Sequence, residues 1–228
     1  MLKRLRNTLK GITDFVLPPV CIFCDKILVN SERLVCGSCF ASIERTGASP
    51  PCERWNEIDL SFSLYNFSGT GCIRKLLHAL KYEKVRSAGI LLGRELGIRI
   101  SESFGNNFRL AVPVPLHISK KRERTYNQSD FICYGIKEVL CISVIENCLR
   151  RIRYTDSQTT LGVHQRMENV RGAFELNKKY SARITGKNII LVDDVITTGS
   201  TISECARVLK HGGCGKILAC SAAMAVVE

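Results

Sequence analysis

From residue 60 onward, two hydrophobic rhythms alternate along this chain. Phe62 and Leu64 alternate with polar neighbours, which predicts a strand near Leu60–Phe67. Apolar positions then recur every three or four residues over Cys72–Tyr82 and Arg86–Ile100, the helical period. Arg109-Leu110-Ala111-Val112-Pro113-Val114-Pro115 reads as a strand running into a stiff turn, and Asn127–Leu140 as a helix. A polar stretch from Arg150 to Arg171 is long for a connection in a compact domain and predicts a functional or mobile loop. The last part is the most regular. Lys187–Val192 is a buried-strand run, Ser200–His211 a helix closed by Gly212-Gly213, and Ile217–Val227 a final apolar strand. Strand, loop, helix and strand in that order specify a parallel α/β sheet. No internal repeat is visible.

The first sixty residues follow other rules. Leu2, Leu5, Leu9 and Ile12 recur at helical spacing among Lys3, Arg4, Arg6 and Lys10, so residues 1–20 read as a basic helix ended by Leu17-Pro18-Pro19. Two readings of it stand: a helix packed on its own protein, or one held weakly to an acidic membrane surface. Residues 21–57 form a cysteine-bounded module and a connector with Gly47, Pro50 and Pro51, and residues 58–228 the α/β domain. No apolar stretch has the length of a transmembrane span. The N-terminus lacks a small-residue cleavage site, so a secretory signal is not expected.

A length of 228 residues suffices for one α/β domain with a real core and a small appendage. Apolar content of 45% and charged content of 24% are those of a globular protein. The 12 cysteines do not imply disulfides, because the chain is neither small nor evidently secreted. Cys133, Cys141, Cys205 and Cys220 have apolar neighbours and are expected as reduced core residues. The cytoplasm fits best, with the inner face of the cytoplasmic membrane as a peripheral location. Net charge is +12, and residues 61–180 carry 20 basic against 10 acidic side chains. A polyanion would therefore bind centrally.

The segment Ile189-Ile190-Leu191-Val192-Asp193-Asp194-Val195-Ile196-Thr197-Thr198-Gly199-Ser200-Thr201 carries the clearest chemistry. Its apolar run buries a central strand, so Asp193 and Asp194 emerge at the carboxyl end, where open α/β sheets bind ligands. Gly199 lets backbone N–H groups approach an anion, and Thr197, Thr198, Ser200 and Thr201 add hydroxyl donors. The helix that follows offers its N-terminal N–H groups to the same anion. Thr201-x-x-Glu204 has the spacing of a capping box. Adjacent carboxylates would repel a phosphate, but ribose hydroxyls donate well to them and Mg²⁺ offsets their charge.

Cys21-x-x-Cys24 and Cys36-x-x-Cys39 supply four thiolates on two turns, the arrangement tetrahedral Zn²⁺ needs. A redox dithiol and unrelated core cysteines are the rival readings. Cys52-x-x-Trp55 resembles half of another pair, but Trp does not ligate metal, so one structural zinc is expected. Lys120, Lys121, Arg122 and Arg124 follow the proline turn, and Arg150, Arg151, Arg153 and Tyr154 add a second basic and aromatic run. Cations interleaved with rings suit single-stranded nucleic acid, with Tyr126 and Tyr154 as base-stacking platforms. The same cations also suit the phosphates of a small ligand, or a solvated face.

The Asp-Asp and Thr-Thr-Gly-Ser-Thr motif resembles that of the type I phosphoribosyltransferases. The resemblance implies a parallel sheet flanked by helices that binds phosphoribosyl pyrophosphate with Mg²⁺. It assigns the candidate catalytic pair Asp193 and Asp194 to the ribose hydroxyls, and Val195 with Thr197–Thr201 to the 5′-phosphate loop. It also places a pyrophosphate turn after the earlier strand, at Val114, Pro115, Leu116 and His117. There Pro113 and Pro115 replace two N–H donors, unlike Gly-rich versions.

Leu80-Lys81-Tyr82, Arg124-Thr125-Tyr126-Asn127-Gln128, and Thr155-x-Ser157-Gln158-Thr159-x-Leu161 continuing to Arg166-x-x-Asn169-Val170-x-Gly172-Ala173-Phe174 are similar to strings of the ComF family, the competence-associated phosphoribosyltransferase-like proteins. With the four cysteines in front, this likeness covers the chain beyond residue 20. Thr125 stands where that family has Gly. The resemblance implies a role in natural transformation, with incoming single-stranded DNA and other DNA-uptake proteins at the inner membrane as partners. It leaves open an active phosphoribosyltransferase of nucleotide salvage, and an adaptor with a vestigial site.

Overall fold

A computed structural model describes residues 18–29, 34–43, 45–46, 55–67, 71–153 and 168–225; side chains of residues 119 and 121 are outside that description. The chain divides into two compact units, residues 1–44 and 45–228. The basic helix expected over 1–20 and the polar stretch 154–167 lie outside the described residues.

In the first unit, an antiparallel bridge joins Val20 to Ile27 around the first Cys-x-x-Cys turn. Cys21 N–H donates to the Lys26 carbonyl at 2.8 Å, and Asp25 takes a positive φ of 57° to close the knuckle. A one-turn helix, α1 (Gly37–Ala41), begins directly after Cys36.

The second unit is built on a five-stranded parallel sheet. In chain order its elements are β1 (Leu60–Asn66), α2 (Cys72–Tyr82), α3 (Arg86–Phe104), β2 (Leu110–Pro113), α4 (Ile118–Arg124), α5 (Gln128–Leu140), β3 (Ser143–Val144), β4 (Leu149–Arg151), β5 (Phe174–Leu176), α6 (Ser181–Ile184), β6 (Ile189–Ile196), α7 (Ser200–His211) and β7 (Ile217–Met224). The sheet order is β1-β7-β6-β2-β3. The two central strands, β6 and β7, are the most continuously apolar segments of the sequence, as burial on both faces demands. On one face, Leu110, Val112, Ile189, Leu191 and Ile217 share a core with Ile202, Cys205 and Leu209 of α7.

Helices α3 and α5 pack against each other through glycines. A Cβ at Gly93 would lie 2.0 Å from the Ile132 carbonyl, and one at Gly135 would lie 2.2 Å from that of Ile90. Backbones this close leave no room for any side chain, so the helical period of α3 carries small residues at 89, 93 and 97 instead of a continuous apolar stripe.

Two expectations need correction. Cys141 is exposed: it ends α5 in the left-handed region (φ 53°), so its side chain leaves the core that Leu140 and Ile142 enter. The start of the long polar stretch is ordered. Leu149–Arg151 pairs antiparallel with Phe174–Leu176, so the segment leaves and returns through a two-stranded stem. Cation–π packing of Arg151 over Phe174, at 5.3 Å, and the burial of Leu149 and Phe174 fix that stem.

Candidate functional site

The parallel sheet decides where chemistry can happen. From β2 the chain moves outward to β3, and from β6 it moves the other way to β7, so the topological switch point lies between β2 and β6. These two strands are hydrogen-bonded neighbours, with Pro113 opposite Val192 and Val114 N–H donating to the Val192 carbonyl at 2.8 Å. The Val114–His117 turn and the Thr197–Thr201 loop therefore open side by side at one edge of the sheet.

Strand β6 runs through the acid pair and ends at Ile196, two residues beyond Asp194. Asp193 Oδ1 accepts from the Asp194 N–H at 2.8 Å and from Ser129 Oγ of α5 at 3.4 Å. Burial, followed by the neighbouring Asp194 charge, raises the Asp193 carboxyl to about 7. Asp194 forms an ion pair with Lys81 Nζ at 3.2 Å. Lys81 comes from the last turn of α2, so three elements converge on the two carboxylates.

Beyond Ile196 the chain makes a tight loop, lined from Val195 to Thr201, that encloses a small concavity. Gly199 sits in the left-handed region (φ 77°) and precedes the first turn of α7. The N-cap is this glycine, with no side-chain cap, so the first N–H groups of α7 stay open to an anion. The Thr198 and Ser200 hydroxyls hydrogen-bond each other at 2.8 Å, which ties the loop to the start of α7. The capping box expected at Thr201 and Glu204 is not formed. Helix α7 starts one residue before Thr201, and Glu204 instead accepts from the Gly172 N–H at 2.7 Å and from Arg207 at 2.7 and 2.8 Å. Trp55 packs on the loop from outside: a Cβ at Gly199 would lie 2.2 Å from its indole Nε1. In sequence Trp55 reads only as a residue that cannot ligate metal, whereas it is buried against the loop.

The basic candidates separate into groups. Burial, then Arg124 and Arg151, hold Lys120 below its usual range, so these three cations share a neighbourhood, and Arg151 lines a cleft with Pro113 and Pro115. Arg124 also lies over the Tyr82 ring at 5.4 Å. Arg122 is exposed, and the side chain of Lys121 is outside the description. Arg153 Nη2 donates to the Asn169 and Arg171 carbonyls, 2.8 Å each, closing the stem of the polar loop. Tyr126 cannot stack on a base. Its ring is buried against Phe131 and Arg86, and its hydroxyl donates to the Leu80 carbonyl, since the α4–α5 turn packs onto the end of α2. Tyr154 lies outside the described residues.

In the first unit, the sulfur atoms of Cys21, Cys24, Cys36 and Cys39 all lie within 4.8 Å of one another. The Cys24 and Cys36 sulfurs are 3.8 Å apart. That matches the edge of about 3.8 Å for a tetrahedron with Zn–S near 2.3 Å, and excludes a disulfide. Hydrogen bonding from the Ser38 hydroxyl and then the Cys39 N–H lowers the Cys36 thiol to about 6, while Cys24 and Cys36 push Cys39 up. Four thiolates at this spacing repel one another unless a dication neutralises them, and the donor set fits zinc.

The sequence matches the Double zinc ribbon domain family over residues 12–58 and the Phosphoribosyl transferase domain family over residues 142–225. It is 28% identical to DNA utilization protein YhgH of Salmonella typhi, across 88% of this chain and 95% of that protein. It is 34% identical to competence protein F of Haemophilus influenzae, across 46% of each chain. A glutamine phosphoribosylpyrophosphate amidotransferase from B. subtilis, a solved structure, is 17% identical with a TM-score of 0.42, covering 68% of this chain and 32% of that one. Among the described residues no helix is long and apolar enough to cross a membrane.

The raised Asp193 carboxyl has a consequence for ligand-free protein. Its stabilising contribution is complete below the ordinary carboxylate range near 4 and is lost as pH rises through about 7, because the folded state resists ionisation. Asp193→Asn should therefore raise the melting temperature relative to wild type at pH 8 and leave it nearly unchanged at pH 4. Thermal melts at both pH values check this; an equal effect at both would show that Asp193 is not held protonated by its surroundings.

Proposed function

We propose that this chain, which belongs to the ComF family, binds phosphoribosyl pyrophosphate with Mg²⁺ at the β2–β6 switch point and handles single-stranded DNA during natural transformation. The observation that carries the ligand reading is the pairing of an acid pair with an uncapped helix N-terminus at the end of one central strand. A group with hydroxyls at one end and a phosphate at the other satisfies both. Asp193 and Asp194 would accept from the ribose 2′- and 3′-hydroxyls, and Thr197–Thr201 with the α7 N-terminus would hold the 5′-phosphate. Lys81 offsets part of the acid charge. Mg²⁺, when bound with the ligand, would neutralise its diphosphate, and Lys120, Arg124 and Arg151 stand beside the proline turn where that diphosphate would lie. The one zinc held by Cys21, Cys24, Cys36 and Cys39 is structural, since no ligand position is left open to substrate.

The DNA reading rests on the DNA utilization and competence proteins to which the chain is related and on the central basic excess. Because Lys120, Arg124 and Arg151 gather at the small-ligand site, Lys121 and Arg122 on α4 are the cations to test for the strand.

Phosphoribosyl pyrophosphate with Mg²⁺ should raise the melting temperature of the second unit, since a ligand bound only by the native state stabilises it. The double change Asp193→Asn, Asp194→Asn should remove that shift in a folded protein. No shift and no heat of binding at millimolar ligand would sink the reading.

A labelled single-stranded oligonucleotide should bind with an affinity that falls steeply with salt, about 0.7 units of log K per phosphate contacted for each unit of log salt. Lys121→Glu with Arg122→Glu should weaken binding about fivefold or more at low salt, while zinc stays at about one per chain. Wild-type binding that ignores salt, or a variant that binds as well as wild type, would leave these charges a solvated face.

A further inference from the structure

The Lys81–Asp194 ion pair is sheltered from water: its side chains are 21% and 13% accessible, with Nζ 3.2 Å from Oδ2. Charges so placed act on each other more strongly than a pair in open solvent. The residues on either side hold the lysine backbone in place. Leu80 is fully buried, and its carbonyl accepts from the Tyr126 hydroxyl. The Tyr82 ring lies under Arg124 at 5.4 Å. Helix α2 closes on the next residue, where Glu83 N–H donates to the Ala79 carbonyl at 3.2 Å. The Leu80-Lys81-Tyr82 string is thus pinned on both sides by the Arg124–Tyr126 segment, and between the pins stands a long, flexible stem with a point charge at its tip.

That charge faces two ways. It acts on Asp193 as well as on Asp194, and it also acts on Lys120, whose charge Arg124 and Arg151 oppose too. The acid pair and the basic group both lie within its electrostatic reach. Two adjacent carboxylates at the end of a strand would otherwise offer oxygen ligands to any divalent cation. With the ammonium on Asp194 Oδ2, such a cation meets a ligand already taken and a like charge beside it. An anionic ligand changes the balance. Oxygens arriving on the Lys120 side attract the ammonium away from Asp194 and leave that carboxylate open to a hydroxyl donor.

We propose that Lys81 guards the acid pair, keeping bare divalent cations off Asp193 and Asp194 in ligand-free protein and turning to the diphosphate when the sugar phosphate binds. The site therefore admits its cation only together with the ligand. This deepens the phosphoribosyl pyrophosphate reading and rests on it for the identity of the anion. A lysine that merely tied α2 to β6 would change stability when replaced, but not the affinity for metal.

Electron paramagnetic resonance titration with Mn²⁺, in place of Mg²⁺, reads bound and unbound ion directly in zinc-loaded protein without any ligand. Wild type should bind no Mn²⁺ below millimolar concentration. Lys81→Met should bind it at least about tenfold tighter, the effect of removing one like charge at this range. Lys81→Arg, which keeps the charge, should match wild type, and adding Asp194→Asn to Lys81→Met should remove the gained site. Mn²⁺ should also raise the melting temperature of Lys81→Met and leave that of wild type unchanged. Calorimetry at saturating Mg²⁺ should show phosphoribosyl pyrophosphate binding Lys81→Met about tenfold more weakly than wild type, as loss of a charged contact entails. Lys81→Gln, which keeps a hydrogen bond to Asp194, takes the place of Lys81→Met if that variant does not fold. Equal Mn²⁺ affinity in wild type and the neutral variant, a gained site that survives Asp194→Asn, or unweakened ligand binding in the neutral variant would overturn the proposal. Wild type that binds no phosphoribosyl pyrophosphate would fail the ligand reading instead, and the Mn²⁺ titrations would still decide whether Lys81 guards the pair.

Discussion

The pairing of β2 with β6 is the constraint on which the rest of the second unit depends. A single parallel ladder, ending in the Val114 N–H to Val192 carbonyl bond at 2.8 Å, sets the proline turn beside the acid pair. Because the connections from these strands leave in opposite directions, a crevice opens at their carboxyl ends. The close glycine packing of α3 on α5 serves the same end, since it brings α5 down to where Ser129 reaches Asp193 and Asn127 holds the Val114 carbonyl.

Charge in the crevice is arranged in opposed halves. On the β6 side, two adjacent carboxylates are burdened by burial and by each other, and Lys81 relieves only part of that. On the β2 side, burial first, and then the charges of Arg124 and Arg151, hold Lys120 below its usual range. Neither half is at rest alone. A ligand with hydroxyl donors at one end and anionic oxygens at the other relieves both, and this is a physical reason for a frustrated site to persist.

Much of this was legible in the sequence because it depends on local rules. The apolar run before Asp193, the glycine before α7 and the Cys-x-x-Cys spacing each follow from what a strand, an anion loop or a tetrahedral cluster requires of its own residues. What escaped depends on partners distant in the chain. Lys81 meets Asp194, Ser129 meets Asp193 and Trp55 covers Gly199 only after the sheet forms. The same reason explains the errors. Tyr126 stands in a basic run, where sequence suggests an exposed stacking ring, but α2 lies beneath it and buries it. Glu204 has capping-box spacing from Thr201, yet the N–H of Gly172 reaches it from across the unit.

The account stands or falls on which end of the ligand meets the α7 N-terminus. Phosphorus NMR of phosphoribosyl pyrophosphate with Mg²⁺ resolves the 5-phosphate from the diphosphate and so reads that contact directly. Wild-type protein should shift or broaden the 5-phosphate resonance, and Gly199→Ala, which forces a Cβ onto Trp55 and strains a φ of 77°, should return it to its free position. A 5-phosphate signal left untouched by the wild-type protein would contradict the account, even if the diphosphate were bound.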